Sequence, residues 1–178
     1  NYREAYKIFG SNGILFNHES PRRGETFVTK KIIRALIKIK MGKQKILYLG
    51  NLDAKRDWGH ARDYVIAMWK ILQLKQPDDF VITTGRQYSI RQFIGFVSKK
   101  LNMKIIWKGK GLKEKGYDSV SKRNIISIDK NYIRPLDVNT LLGNASKARK
   151  KLSWKPKINI HQLIDEMISE EVKILDNE

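Results

Sequence analysis

Asn12-Gly13-Ile14-Leu15-Phe16-Asn17-His18-Glu19-Ser20-Pro21-Arg22-Arg23-Gly24 is the stretch on which the reading of this chain turns. Gly13 to Phe16 is a short, continuously apolar run, the pattern of a strand covered on both faces. It empties into residues 17–24, which hold an imidazole and two guanidiniums. The carboxyl edge of a buried strand is where open α/β sheets bind nucleotides, and arginine forks suit phosphate oxygens. The loop therefore points to a phosphorylated ligand, although its composition is equally that of a solvated turn in a basic protein.

Outward from this stretch, apolar strand patterns and amphipathic helix patterns alternate. Upstream, residues 1–9 read as the tail of a helix with no N-cap, stopped by a left-handed Gly10, as if what came before had been lost. Downstream, a helix runs from Glu25 to about Met41 with Ile32, Ile33, Leu36, Ile37 and Phe27 on its apolar stripe. Lys30, Lys31, Arg34, Lys38 and Lys40 fall on its solvated side. A strand at Ile46–Leu49 leads to the segment 54–65, where arginines alternate with acids. Asp63 then opens a helix with Tyr64, Val65, Ala67, Met68, Ile71 and Leu72 inward, ending before Pro77. A strand at 80–84, a helix from Ser89 and a strand at 105–107 follow. Residues 108–127 are polar and unpatterned, as in a long surface loop. Asn144 caps a helix that Pro156 terminates, and residues 160–175 form a last amphipathic helix. The class is α/β.

Composition narrows the function. The 178 residues are 41% hydrophobic and contain no uninterrupted apolar run near 18 residues and no signal-peptide pattern, so no membrane partner is indicated and the expected location is cytoplasmic. The absence of cysteine excludes disulfides, thiolate metal sites and cysteine nucleophiles. His18, His60 and His161 lack metal-ligand spacing. The net charge of +18 suggests a polyanionic partner, but 25 lysines against 11 arginines, scattered and accompanied by 23 isoleucines, look like a basic surface from an AT-rich coding sequence. A nucleic-acid reader concentrates arginine and aromatics on one element, so no nucleic acid is expected. Nor is there a Gly-x-Gly-x-x-Gly turn, a Gly-x-Ser-x-Gly elbow, a Walker lysine or a Tyr-x-x-x-Lys pair. Phosphate-shaped binding groups are present without a catalytic residue.

Residues 12–29 (ending Gly24-Glu25-Thr26-Phe27-Val28-Thr29), Tyr48-Leu49-Gly50-Asn51, Arg56-Asp57-Trp58-Gly59-His60-Ala61, and Arg134-Pro135 with Leu141-Leu142-Gly143 closely resemble the GDP-mannose 4,6-dehydratases, of the extended short-chain dehydrogenase superfamily. The resemblance covers nearly the whole chain in order. It implies NADP-dependent conversion of GDP-mannose to GDP-4-keto-6-deoxymannose, through hydride removal at C4, loss of water across C5 and C6, and hydride return to C6. It implies the C-terminal part of a doubly wound, Rossmann-like parallel sheet, with a smaller mixed α/β substrate-binding domain built from segments of about 22–46, 85–127 and 138–178. The family's glycine-rich turn, threonine, glutamate and tyrosine-lysine pair lie upstream of the matched residues. The expected partner is thus the missing N-terminal half, in a homo-dimer or homo-tetramer, and the chain alone should be inactive.

Carried over on the matching motifs, His18 and Arg23 fall at cofactor positions and Asn17 where an amide meets the nucleotide-sugar. Val28 and Lys31 fall near the guanine and diphosphate, and Arg56 and Arg134 where arginines clamp the diphosphate. Asp137 replaces a family glutamate, and Lys30 a common arginine, read here as harmless on a solvated face. His18 could instead be a polar strand cap, and Arg56 could pair with Asp57 on the surface. A different nucleotide-sugar epimerase or dehydratase, or a basic nucleic-acid-binding module, are the alternatives.

Overall fold

The computed structural model describes residues 1–133, 136 and 138–177. In chain order the elements are α1 (Tyr2–Tyr6), β1 (Gly13–Leu15), β2 (Asn17–Glu19), α2 (Val28–Lys40), β3 (Leu47–Leu49), β4 (Lys55–Arg56), β5 (Trp58–His60), α3 (Ala61–Leu72), β6 (Phe80–Ile82), β7 (Tyr88–Ser89), α4 (Ile90–Lys100), β8 (Ile105–Lys108), β9 (Lys115–Asp118), β10 (Asn124–Ile128), α5 (Ser146–Leu152) and α6 (Ile160–Asp176). They form two compact units. The first takes residues 1–20, 56–87 and 141–163, and the second residues 21–55, 88–140 and 164–178.

In the first unit β1 pairs in parallel with β6, and β2 in parallel with β5. The crossovers this requires bring helices onto the strands. Tyr64, Ala67 and Ile71 of α3, Phe80 and Ile82 of β6, and Ala148 and Leu152 of α5 form one buried core with Ala145 and Trp154. Asp63 pins the chain after α5: its Oδ2 accepts from the amides of Lys157 and Ile158, both at 2.9 Å, while its carbonyl accepts the Trp154 indole N–H at 2.8 Å.

In the second unit β10 lies between β3, its parallel neighbour, and antiparallel β9, with β8 beyond. Helix α2 packs against α4 and β3. Its stripe Ile32, Ile33, Leu36 and Ile37 is buried as the 3.6-residue period demands. Ser89 caps α4 in a reciprocal capping box with Gln92, which fixes the helix start.

Several expectations are corrected. Residues 17–19 are a strand rather than a loop, because β5 supplies a pairing partner that polar side chains do not forbid. Ile14 is 54% exposed, so β1 is not covered on both faces among the described residues. The first helix ends at left-handed Lys7 rather than Gly10. Phe27 stands before α2 as its N-cap, 47% exposed, and Val65, Met68 and Leu72 point outward from α3. Residues 108–127 include β9 and most of β10, whose antiparallel pairing accounts for a segment that carries little apolar pattern of its own.

Candidate functional site

In the first unit the parallel register of β2 on β5 sets Asn17 beside Trp58 and His18 beside Gly59. Asn17 and His18 are half-buried. His18 Nδ1 lies 2.9 Å from the carbonyl of Phe16, a contact that requires a proton on Nδ1 and leaves Nε2 as the ring nitrogen able to accept from a ligand. The ring is also held from the side, its centroid 5.1 Å from that of fully buried Tyr64. Gly59 makes this possible, because a Cβ there would stand 2.4 Å from the Tyr64 ring. Burial, then the charges of Asp57, Asp63 and Glu19, push the Tyr64 phenol far above its ordinary range, so it stays protonated.

Arg56, half-buried, is followed by an acid that is fully buried. Asp57 is no surface partner: its carboxylate accepts from the Thr83 hydroxyl, from the Thr84 amide at 3.0 Å and hydroxyl at 2.6 Å, and from the Gly85 amide at 2.8 Å. Neutral donors saturate the carboxylate and tie the backbone next to Arg56 to the end of β6.

In the second unit the loop 21–27 delivers Arg23 and then α2. The Arg23 guanidinium carbon lies 3.4 Å from the Phe27 ring centroid, a stack that orients the fork. Val28 opens α2, and the Lys31 ammonium one turn later stands 3.4 Å from the ring centroid of Tyr132. The Tyr132 backbone can approach because residue 50 is glycine: a Cβ there would fall 2.2 Å from the Tyr132 carbonyl oxygen. Lys31 also lines a cavity of about 250 Å³ with Arg34, Lys38, Tyr48, Tyr132 and one acid, Glu25, which lies 3.4 Å from Arg34. Cations beside aromatic faces suit an anionic ligand that carries a ring.

Asn17 and His18 thus share a strand, and Arg23, Val28 and Lys31 share a loop and the helix it feeds. Arg134 and Asp137 lie outside the described residues. Sequence reasoning missed Tyr64 as the support of His18, and Asp57 as a buried hub. It misplaced Lys30, which is 3% exposed and not on a solvated face. The one available signal for Asp57 was its place between Arg56 and the strand Trp58-Gly59-His60.

Solved structures share this fold. That of RMD from Pseudomonas aeruginosa, complexed with NADPH, matches with a TM-score of 0.77 at 19% identity, over 97% of this chain and 52% of that one. That of dTDP-glucose 4,6-dehydratase from Bacillus anthracis in complex with NAD matches at 0.75 and 18%, over 98% and 48%. The fold class is therefore the Rossmann-like α/β fold that these structures share. Within it, the family model for GDP-mannose 4,6 dehydratase matches residues 1–167, and the chain belongs to that family. It is 51% identical to GDP-mannose 4,6 dehydratase 2 of Caenorhabditis elegans, over 99% of this chain and 46% of the relative. It is 50% identical to the GDP-mannose 4,6-dehydratase of Vibrio cholerae, over 98% and 50%. The chain spans about half the length of the curated relatives it matches.

Proposed function

We propose that the protein carrying this chain is an NADP-dependent GDP-mannose 4,6-dehydratase, a carbon–oxygen lyase forming GDP-4-keto-6-deoxymannose for GDP-fucose and related deoxysugars. The chain's own part is to hold the nucleotide-sugar and part of the cofactor. One observation carries the reading: identity of about half to curated GDP-mannose 4,6-dehydratases extends over 98–99% of the chain, the run 12–29 included.

The geometry fits these roles. His18, with Nδ1 committed to Phe16, would help hold the nicotinamide half of the cofactor. Arg23, backed by Phe27, suits the cofactor's phosphates. NADP would supply the hydride acceptor at the sugar's C4 and the donor at its C6. Asn17 meets the nucleotide-sugar, Val28 and Lys31 its guanine and diphosphate. Arg56 binds the diphosphate from a backbone that the Asp57 hub fixes, with Arg134 and Asp137 completing recognition. The second unit is the substrate-binding part. The proton-moving residues belong to the family's other half, so the reading requires that half in the same assembly, a cytoplasmic homo-dimer or homo-tetramer.

Competition binding tests the ligand. With protein made from its complete coding sequence, GDP-mannose should displace labelled GDP at least tenfold better than UDP-glucose or dTDP-glucose, a gap of about 1.4 kcal/mol. Preference for a pyrimidine nucleotide would instead make this a different nucleotide-sugar enzyme of the same fold. Binding indifferent to all three but abolished by salt would make it a nucleic-acid-binding module.

A further inference from the structure

We infer that Lys30 and Glu171 are positioning residues that hold the loop carrying Arg23, in addition to joining two helices; this rests on the reading of Arg23 as a cofactor ligand. Lys30 of α2 and Glu171 of α6 are 3% and 0% exposed and form an ion pair. Glu171 also receives Arg34 at 2.6 Å. Two cations therefore meet one buried carboxylate, and the surplus positive charge needs further acceptors.

Both come from the loop. The Lys30 ammonium donates to the carbonyl of Pro21 at 3.0 Å, and Arg34 lies 3.4 Å from the carboxylate of Glu25. Residues 21 and 25 flank Arg23, so the loop is gripped on either side of the guanidinium it presents. At its far end Phe27 stacks on that guanidinium and closes the turn by donating its backbone N–H to the carbonyl of Gly24 at 3.1 Å. A pair needed only to join α2 to α6 has no use for a loop carbonyl. Burying an ammonium is costly, and buried pairs contribute little net stability over apolar replacements of similar size. The Pro21 bond gives the charge a task that an apolar pair could not perform.

The two roles separate in Lys30→Met, which removes the donor to the Pro21 carbonyl but leaves Glu171 paired with Arg34. In the protein made from its complete coding sequence, Lys30→Met should weaken NADP binding about tenfold and speed amide exchange of residues 22–27 by a similar factor, while exchange within α2 and α6 stays near wild type. Lys30→Arg should keep both properties near wild type. Unchanged NADP affinity, or exchange that rises within α2 and α6 as much as at 22–27, overturns the inference. So does Lys30→Met with unchanged exchange at 22–27. Arg23→Ala separates this from the cofactor reading: if it leaves NADP affinity unchanged, that reading fails, while loop exchange still reports on Lys30.

Discussion

Asp57 and Glu171 are both carboxylates with no exposed surface, one in each unit, and they are satisfied in opposite ways. Asp57 takes hydrogen bonds from hydroxyls and amides of three consecutive residues, Thr83 to Gly85. Glu171 takes Lys30 and Arg34. Neutral donors leave one buried charge whose partners survive its removal. A pair of cations makes a cluster that depends on its carboxylate, because removing Glu171 leaves uncompensated positive charge out of water. The first arrangement fixes backbone beside Arg56, and the second fixes the loop around Arg23.

The largest test of this contrast is Glu171→Ala, which strands buried Lys30 and leaves half-buried Arg34 to the exposed Glu25, and should cost on the order of 3–5 kcal/mol in a urea melt. Asp57→Asn keeps the shape but turns an amide N–H₂ toward one of the donors, and should cost about 1–3 kcal/mol by the same assay. Gly59→Ala forces the Tyr64 ring aside from a contact of 2.4 Å and should destabilise by roughly 1–3 kcal/mol, with NADP affinity falling as His18 loses its support. Tyr64→Phe removes a buried hydroxyl that has no hydrogen-bond partner among the described residues, so stability should change by less than about 1 kcal/mol.

The smallest effect belongs to an exposed carboxylate. Hydrogen bonds from Arg3, then from the Asn12 amide, hold the Asp79 carboxyl well below the usual carboxylate range. A lowered folded value means that the anchorage of α1 is fully present above the ordinary carboxylate pKa of about 4 and is lost as pH falls through the folded value. Amide exchange in α1 should therefore rise only in strong acid, and Asp79→Asn should abolish that dependence.

How much of this was legible from the sequence follows the range of the forces involved. The apolar stripes of α2, α4 and α6 and the helix start near Ser89 are local patterns and could be read directly. Asn17-His18-Glu19 has no alternating apolar pattern, so its strand is specified by β5, about forty residues away. The β9–β10 pairing is local but hides because Lys115–Asp118 carries no alternating apolar pattern, and β10 takes its other neighbour, β3, from far back in the chain. Lys30 and Glu171 are 141 positions apart, and nothing along α2 distinguishes a lysine that will be buried from its solvated neighbours. The family resemblance named His18, Arg23 and Arg56, but not Tyr64, Glu171 or Asp57, whose contacts with the His18 ring, with Lys30 of the helix after the Arg23 loop and with the end of β6 show only in three dimensions.

The most direct measurement is turnover by the protein made from its complete coding sequence, supplied with GDP-mannose and NADP and followed by mass spectrometry of the nucleotide-sugar. The account predicts a product lighter by one water that retains guanosine diphosphate and carries a keto group at C4, with turnover lost in Arg23→Ala. Folded, NADP-loaded protein that leaves GDP-mannose unchanged, or dehydrates a uridine or thymidine diphosphate sugar in its place, would contradict it.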